Sequence, residues 1–198
     1  MGQLQGSWAL WWAGVAPGGR CYRARMGKPL DLPFDPIERA GEIWESTWGP
    51  ASAMRLATSV MRVQQILIGR YDEILRPHGL TFARYEALVL LRFSRRGELP
   101  MKVIGSRLMV HPTSVTNTID RLVAAGLVVR RPNPEDGRGV LAAVTDEGRR
   151  LVERATSDLM DADFGLAALA EPDRALVFAS LRRVRAAAGD FRDAPGSA

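Results

Sequence analysis

The sequence predicts a mostly α-helical fold with one small β-hairpin, built around a pair of short helices joined by a tight turn. Three observations carry this. Apolar residues recur at spacings of three and four over 51–76 and again over 151–169, as they do along one face of a helix. Between these stretches, two short helical segments flank a short break before Pro112. Two short runs, 127–131 and 140–144, then bracket a turn-rich tip at 132–139.

Composition sets the outer limits. With 198 residues and 46% hydrophobic content, the chain can bury an ordinary core without covalent staples. The single cysteine, Cys21, closes no intramolecular disulfide, and one cysteine with two histidines gives no metal-ligand cluster. Neither a cofactor nor a metal is expected. No apolar run approaches bilayer length, and the Trp-rich start at Trp8, Trp11 and Trp12 lacks the basic region of a secretory leader. A cytoplasmic, non-exported protein with no membrane partner is therefore expected. The formal charge of +5 hints at a polyanionic partner. That hint is weak, because the first 25 residues hold Arg20, Arg23 and Arg25 but no acid, and without these three the charge is +2.

Taken in order, residues 1–50 carry glycines, prolines and aperiodic tryptophans, and are expected to be a partly disordered N-terminal extension with a short helix around 37–48. In 51–76, Leu56, Val60, Val63, Leu67, Tyr71 and Ile74 form one helical stripe, which Pro77 and Gly79 end. The hydroxyl of Thr81 is expected to cap the next helix, 82–93. A helix over 101–109 follows, then one opening at Pro112, whose fixed φ suits the first helical position. Val115, Ile119 and Leu122 face inward on it, leaving Thr113, Ser114, Asn117, Asp120 and Arg121 outside. Gly126 supplies the left-handed residue that leads into the hairpin. Helix, turn, helix and charged hairpin make a winged helix-turn-helix order. Thr145 caps a helix expected to run to Leu169 and to break at Glu171 and Pro172. A last helix aligns Val177, Leu181, Val184 and Ala188 before a tail at 189–198. These stripes exceed what a small winged lobe can cover, so the helices at 51–76 and 146–188 are expected to pack across a homodimer boundary, with 81–145 as the lobe of a single domain over 51–188.

The segments LTFARYEALVLL, VHPTSVTNTIDRLVAAGLVVRR and PNPEDGRGVLAAVTDEGRRL, from Leu80 to Leu151, resemble the multiple antibiotic resistance regulator (MarR) family of transcription factors. The resemblance implies a two-fold dimer whose winged lobes grip a pseudo-palindromic operator in double-stranded DNA, acting as a repressor that responds to a small, often aromatic, effector. It also implies an effector crevice between the dimer helices and the lobe, to which Tyr71, His78 and Arg84 are assigned, with a core or surface role as the alternative for each. Some relatives respond through a reactive cysteine, but Cys21 lies outside every matching segment.

Within the second helix of the motif, Thr113, Ser114 and Asn117 sit at the end that a recognition helix presents to bases, and Asn pairs well with adenine N6 and N7. For Thr113 and Ser114, capping of the helix start is an equal reading. Arg121 reaches a phosphate or else pairs with a nearby acid. Arg138 matches the family position that enters the minor groove, with Asp136 as its brace; Gly137 stands where the family usually has a second arginine. Arg130 and Arg131 touch phosphates or are solvated strand ends, and Lys102 and Arg107 are candidate backbone anchors. No nucleophile elbow, paired carboxylates or phosphate-cradling loop marks an enzyme. The alternative to DNA binding is a winged module that docks a protein partner.

Overall fold

The computed structural model describes residues 32–134, 136 and 139–192. Contacts divide the chain between Pro33 and Phe34, and the fold below is that of the unit from Phe34 onward. Helix α1 (Pro36–Thr47) stands where a short helix around 37–48 was expected, and starts where the Asp35 carboxylate accepts the Ile37 N–H at 2.8 Å and Pro36 takes the first helical position. Arg55 ties α1 to the next helix, reaching Glu45 at 2.5 Å and Glu38 at 3.1 Å.

The long stripe becomes α2 (Ser52–Leu75), closed by a 3₁₀ turn (Arg76–His78) and by Gly79 at φ +68°. Helix α3 (Phe82–Phe93) begins after Thr81 as the spacing predicts, but Thr81 does not cap it. The Asp72 carboxylate of α2 accepts the Phe82 N–H at 2.6 Å instead, while the Thr81 hydroxyl accepts from the Arg84 guanidinium at 3.2 Å. A carboxylate folded in from another helix gives the stronger, charge-assisted bond, and local sequence carries no trace of it.

Next come strand β1 (Glu98–Pro100), helix α4 (Met101–Leu108), helix α5 (Pro112–Ala124), and strands β2 (Val128–Pro132) and β3 (Val140–Val144). The sheet order is β1-β3-β2, antiparallel throughout, with Leu99 opposite Ala142 and Arg130 opposite the same residue from the other side. β1 was not legible beforehand, because three residues ending in proline show no period. Leu75, Leu88, Leu91, Ile104, Ile119, Leu122 and Leu159 are fully buried where α2, α3, α4, α5 and the helix after the hairpin, Asp146–Asp161, converge. Each such side chain contributes about 1.5–3 kcal/mol through removal from water.

Thr145 caps α6 (Asp146–Asp161) by accepting the Gly148 N–H at 3.0 Å. The stripe to Leu169 does not continue as one helix: α6 stops at Asp161, and Asp163, Phe164 and Gly165 turn the chain with φ of 50°, 47° and 73°. Tertiary partners hold that turn, since the Tyr71 hydroxyl donates to the Phe164 carbonyl at 2.8 Å and the Arg174 guanidinium pairs with Asp163. Spacing alone conceals such a break. The last helix, α7 (Glu171–Ala187), buries none of its residues within the chain. Among the described residues, no helix is long and apolar enough to cross a membrane, and no cluster of His, Cys, Asp or Glu could hold a metal ion.

Candidate nucleic-acid interface

The helix-turn-helix is set by close packing of α4 on α5. A Cβ on Gly105 would stand 3.2 Å from Val115 Cγ2 and 3.5 Å from the Val110 carbonyl oxygen, so the smallest residue allows the two helices their approach. Met109 takes the left-handed conformation that ends α4, at φ 53°, and the Val110 N–H returns to the Gly105 carbonyl at 3.1 Å. His111 is the N-cap of α5, its Nδ1 accepting the Thr113 N–H at 3.3 Å. His111 is thus a capping residue of α5.

Burial then orients α5. Val115, Ile119 and Leu122 are buried against the core, while Thr113, Ser114, Asn117 and Arg121 are exposed on the other side. The Thr113 hydroxyl lies 3.2 Å from His111 Nδ1, so this residue takes part in the cap. Asn117 and Arg121 make no hydrogen bond or ion pair among the described residues. The nearest rival for Arg121, the carboxylate of Asp120, is taken by Arg130 of β2 at 2.7 Å. That pair braces the hairpin against α5, and Arg131 pairs with Glu98 at 3.5 Å. Arg130 and Arg131 are thus not bare strand ends, and each must exchange a carboxylate for any phosphate it meets. Lys102 and Arg107 are exposed without partners among the described residues, at the two ends of α4. Arg107 faces a groove shared with the turn after α3.

At the hairpin tip, the Asn133 N–H donates to Gly139 at 3.0 Å and the Gly139 N–H donates to Asp136 at 2.8 Å, which fixes the turn on both flanks. Arg138 lies outside the described residues, and with it the expected Asp136–Arg138 brace.

The residues assigned to an effector crevice are each already engaged. Tyr71 is buried, packs against Phe82 with ring centroids 4.8 Å apart, and donates to Phe164. Burial pushes its phenol above the usual range. His78 Nε2 lies 2.6 Å from Asp158, and Arg84 donates to Thr81. Sequence reading missed one group altogether: Glu86 of α3, which lines a cavity of about 70 Å³ against Ser114 and Thr118 of α5, where burial raises its carboxyl above the ordinary range. A glutamate flanked by Tyr85 and Ala87 on a helix gave no signal, since its burial comes from α4 and α5.

Two helices crossing at a tight turn, the second with a polar outer face and followed by a basic hairpin, define a winged helix-turn-helix protein. Comparison with known proteins places it more narrowly. The MarR family profile matches residues 78–139. The chain is 61% identical to Sco5413, a MarR family transcriptional regulator from Streptomyces coelicolor, covering 71% of this chain and 98% of that one with a TM-score of 0.67. It is 26% identical to a mutant MarR from E. coli crystallised with operator DNA, covering 68% of this chain and 96% of that one with a TM-score of 0.61. It is also 35% identical over 79 residues to the uncharacterized transcriptional regulator YkoM of Bacillus subtilis (strain 168), a match to 40% of this chain and 50% of that protein. The chain thus spans about half the length of that curated relative. The chain belongs to the MarR family of transcriptional regulators.

Proposed function

We propose that the protein binds a pseudo-palindromic operator in duplex DNA as a homodimer and represses transcription until a small aromatic effector releases it. The observation that carries the reading is the outer face of α5, where Asn117 and Arg121 stand exposed and unpaired on a helix whose inner face is locked into the core. An unpaired amide in mid-helix costs helix propensity and returns nothing locally, which suits a side chain kept for a base edge. Arg121 supplies a phosphate contact further along the same helix, Lys102 and Arg107 are further backbone contacts, and Thr113 and Ser114 approach the groove from the capped start. Arg138 is assigned to the minor groove.

Support for the dimer lies in apolar faces that one chain leaves uncovered. Met61 of α2 is 65% exposed, and on α7 Leu176 is 68% and Val184 63% exposed. Apolar stripes on helices at both ends of one domain are the pattern that a two-fold partner buries. An effector entering beside Tyr71, His78 and Arg84 would have to displace the Tyr71–Phe164 hydrogen bond and the His78–Asp158 pair, both of which join α2 and the 3₁₀ turn to the end of α6 and the turn that follows. Such a ligand would therefore alter how the lobe sits on the dimer helices.

The test is a competition between a duplex selected by the protein from a randomised pool and a scrambled duplex, at several salt concentrations. Asn117→Ala should cost roughly 1–3 kcal/mol on the selected duplex and leave the scrambled one unchanged. Arg121→Ala should weaken both and lower the salt slope by about one phosphate contact. Equal losses on both duplexes for Asn117→Ala would remove base reading from α5.

A further inference from the structure

A second polar surface on the lobe overlaps the DNA-binding reading only at Arg107. The turn after α3 and the outer side of α4 enclose an open groove of about 710 Å³ lined by Phe93, Arg95, Arg96, Glu98, Leu99 and Arg107. Phe93 is 82% exposed, the most exposed large apolar side chain among the described residues. The arginines nearby fall into two groups. Arg92 pairs with Glu153 at 3.2 Å, Arg131 with Glu98 at 3.5 Å and Arg149 with Asp146 at 4.0 Å. Arg95, Arg96 and Arg107 pair with no carboxylate among the described residues. The fold thus neutralises the guanidinium groups around the groove and leaves three cations inside it beside a bare aromatic ring.

The groove also sits away from the hairpin tip. Glu98 pairs with Ala143, and the Val144 N–H donates to the Gly97 carbonyl at 2.9 Å, so the 94–97 turn lies at the end of the sheet opposite residues 133–139. A duplex offers phosphates to the arginines but keeps its base faces stacked inside, which leaves nothing to cover Phe93. A polypeptide segment bearing carboxylates and an apolar side chain satisfies both. Arginine and aromatic residues together, rimmed by satisfied ion pairs, are the composition that carries most of the binding energy at protein interfaces.

We infer that this groove docks an acidic segment of a protein partner, with its carboxylates on Arg95 and Arg96 and an apolar side chain on Phe93. The probe is a fluorescent twelve-residue peptide alternating Glu and Leu, titrated into the full chain by anisotropy, with a Lys-for-Glu peptide as control. The Glu peptide should bind and the Lys peptide should not. Arg95→Glu with Arg96→Glu should reduce peptide affinity at least about tenfold, and Phe93→Ser should reduce it by a smaller factor, at unchanged affinity for the selected duplex. Arg95→Gln with Arg96→Gln provides the same test without charge reversal should the first pair fail to fold. Equal binding of the two peptides, or peptide affinity unchanged in the charge variants, overturns the proposal. So does a loss of duplex affinity matching the loss of peptide affinity, which would give the patch to DNA.

Discussion

At the scale of single residues, the lobe separates side chains that hold the fold from those kept free. Val115, Ile119 and Leu122 are consumed by the core and Asp120 by Arg130, whereas Asn117 and Arg121 are left to meet something else. Glu86 is the exception, a titratable group half-buried for no structural return. It is the only titratable side chain lining its cavity, the rest being apolar or hydroxyl-bearing, so desolvation acts on it uncompensated. Its native carboxyl therefore titrates above the ordinary value of 4.5. Below that value the group is protonated in both folded and unfolded chains and costs nothing. As pH rises through the raised native value, the folded state is penalised and stability is lost. Glu86→Gln is expected to melt higher than the parent at neutral pH, with the gap closing as pH falls below the ordinary glutamate range. Parallel melting curves across that window would show that Glu86 finds a partner.

At the scale of elements, stability rests on joints between helices more than on the helices themselves. The junction of the hairpin base with α6 is tightest at Gly148, where an added Cβ would collide with the Leu127 carbonyl oxygen and lie 2.9 Å from Val144 Cγ2. A backbone carbonyl cannot swing away as a side-chain tip can. Gly148→Ala should therefore destabilise by about 1–3 kcal/mol, despite the better helix propensity of alanine, as read from denaturant midpoints. The joint between α2 and α3 depends on Asp72. Asp72→Ala frees the Phe82 N–H and should cost about 0.5–2 kcal/mol, whereas Thr81→Ala, which removes no cap, should cost less. A reversed ranking would return the cap to Thr81.

At the scale of the whole molecule, the unpaired faces of α2 and α7 set the expectation. Truncation after Leu169 removes α7 with its exposed Leu176, Val177, Phe178 and Val184, and should convert the proposed dimer into a monomer by light scattering. A stable truncated dimer would place the interface elsewhere. Deleting residues 1–25 should leave dimerisation and affinity for the selected duplex nearly unchanged, because every residue assigned above to DNA or to the dimer lies in the unit from Phe34 onward, whose α1 is clamped by Arg55.

The sequence by itself determined the order of the helices and the hairpin, the helix-turn-helix with its inward stripe, and the outward residues of α5, but not strand β1. All of these follow from periodicity, prolines and glycines, which act within one turn or one hairpin. Tertiary structure alone decided what depends on residues far apart in the chain. The Asp72 cap on α3, the break of α6 at Asp161 held by Tyr71 and Arg174, the clamp of α1 by Arg55, and the ion pairs that occupy Arg130 and Arg131 are of this kind. So is the burial of Glu86. Local patterning reports which face of an element is apolar, but a hydrogen bond or ion pair between two elements exists only once packing has brought its partners within about 3 Å.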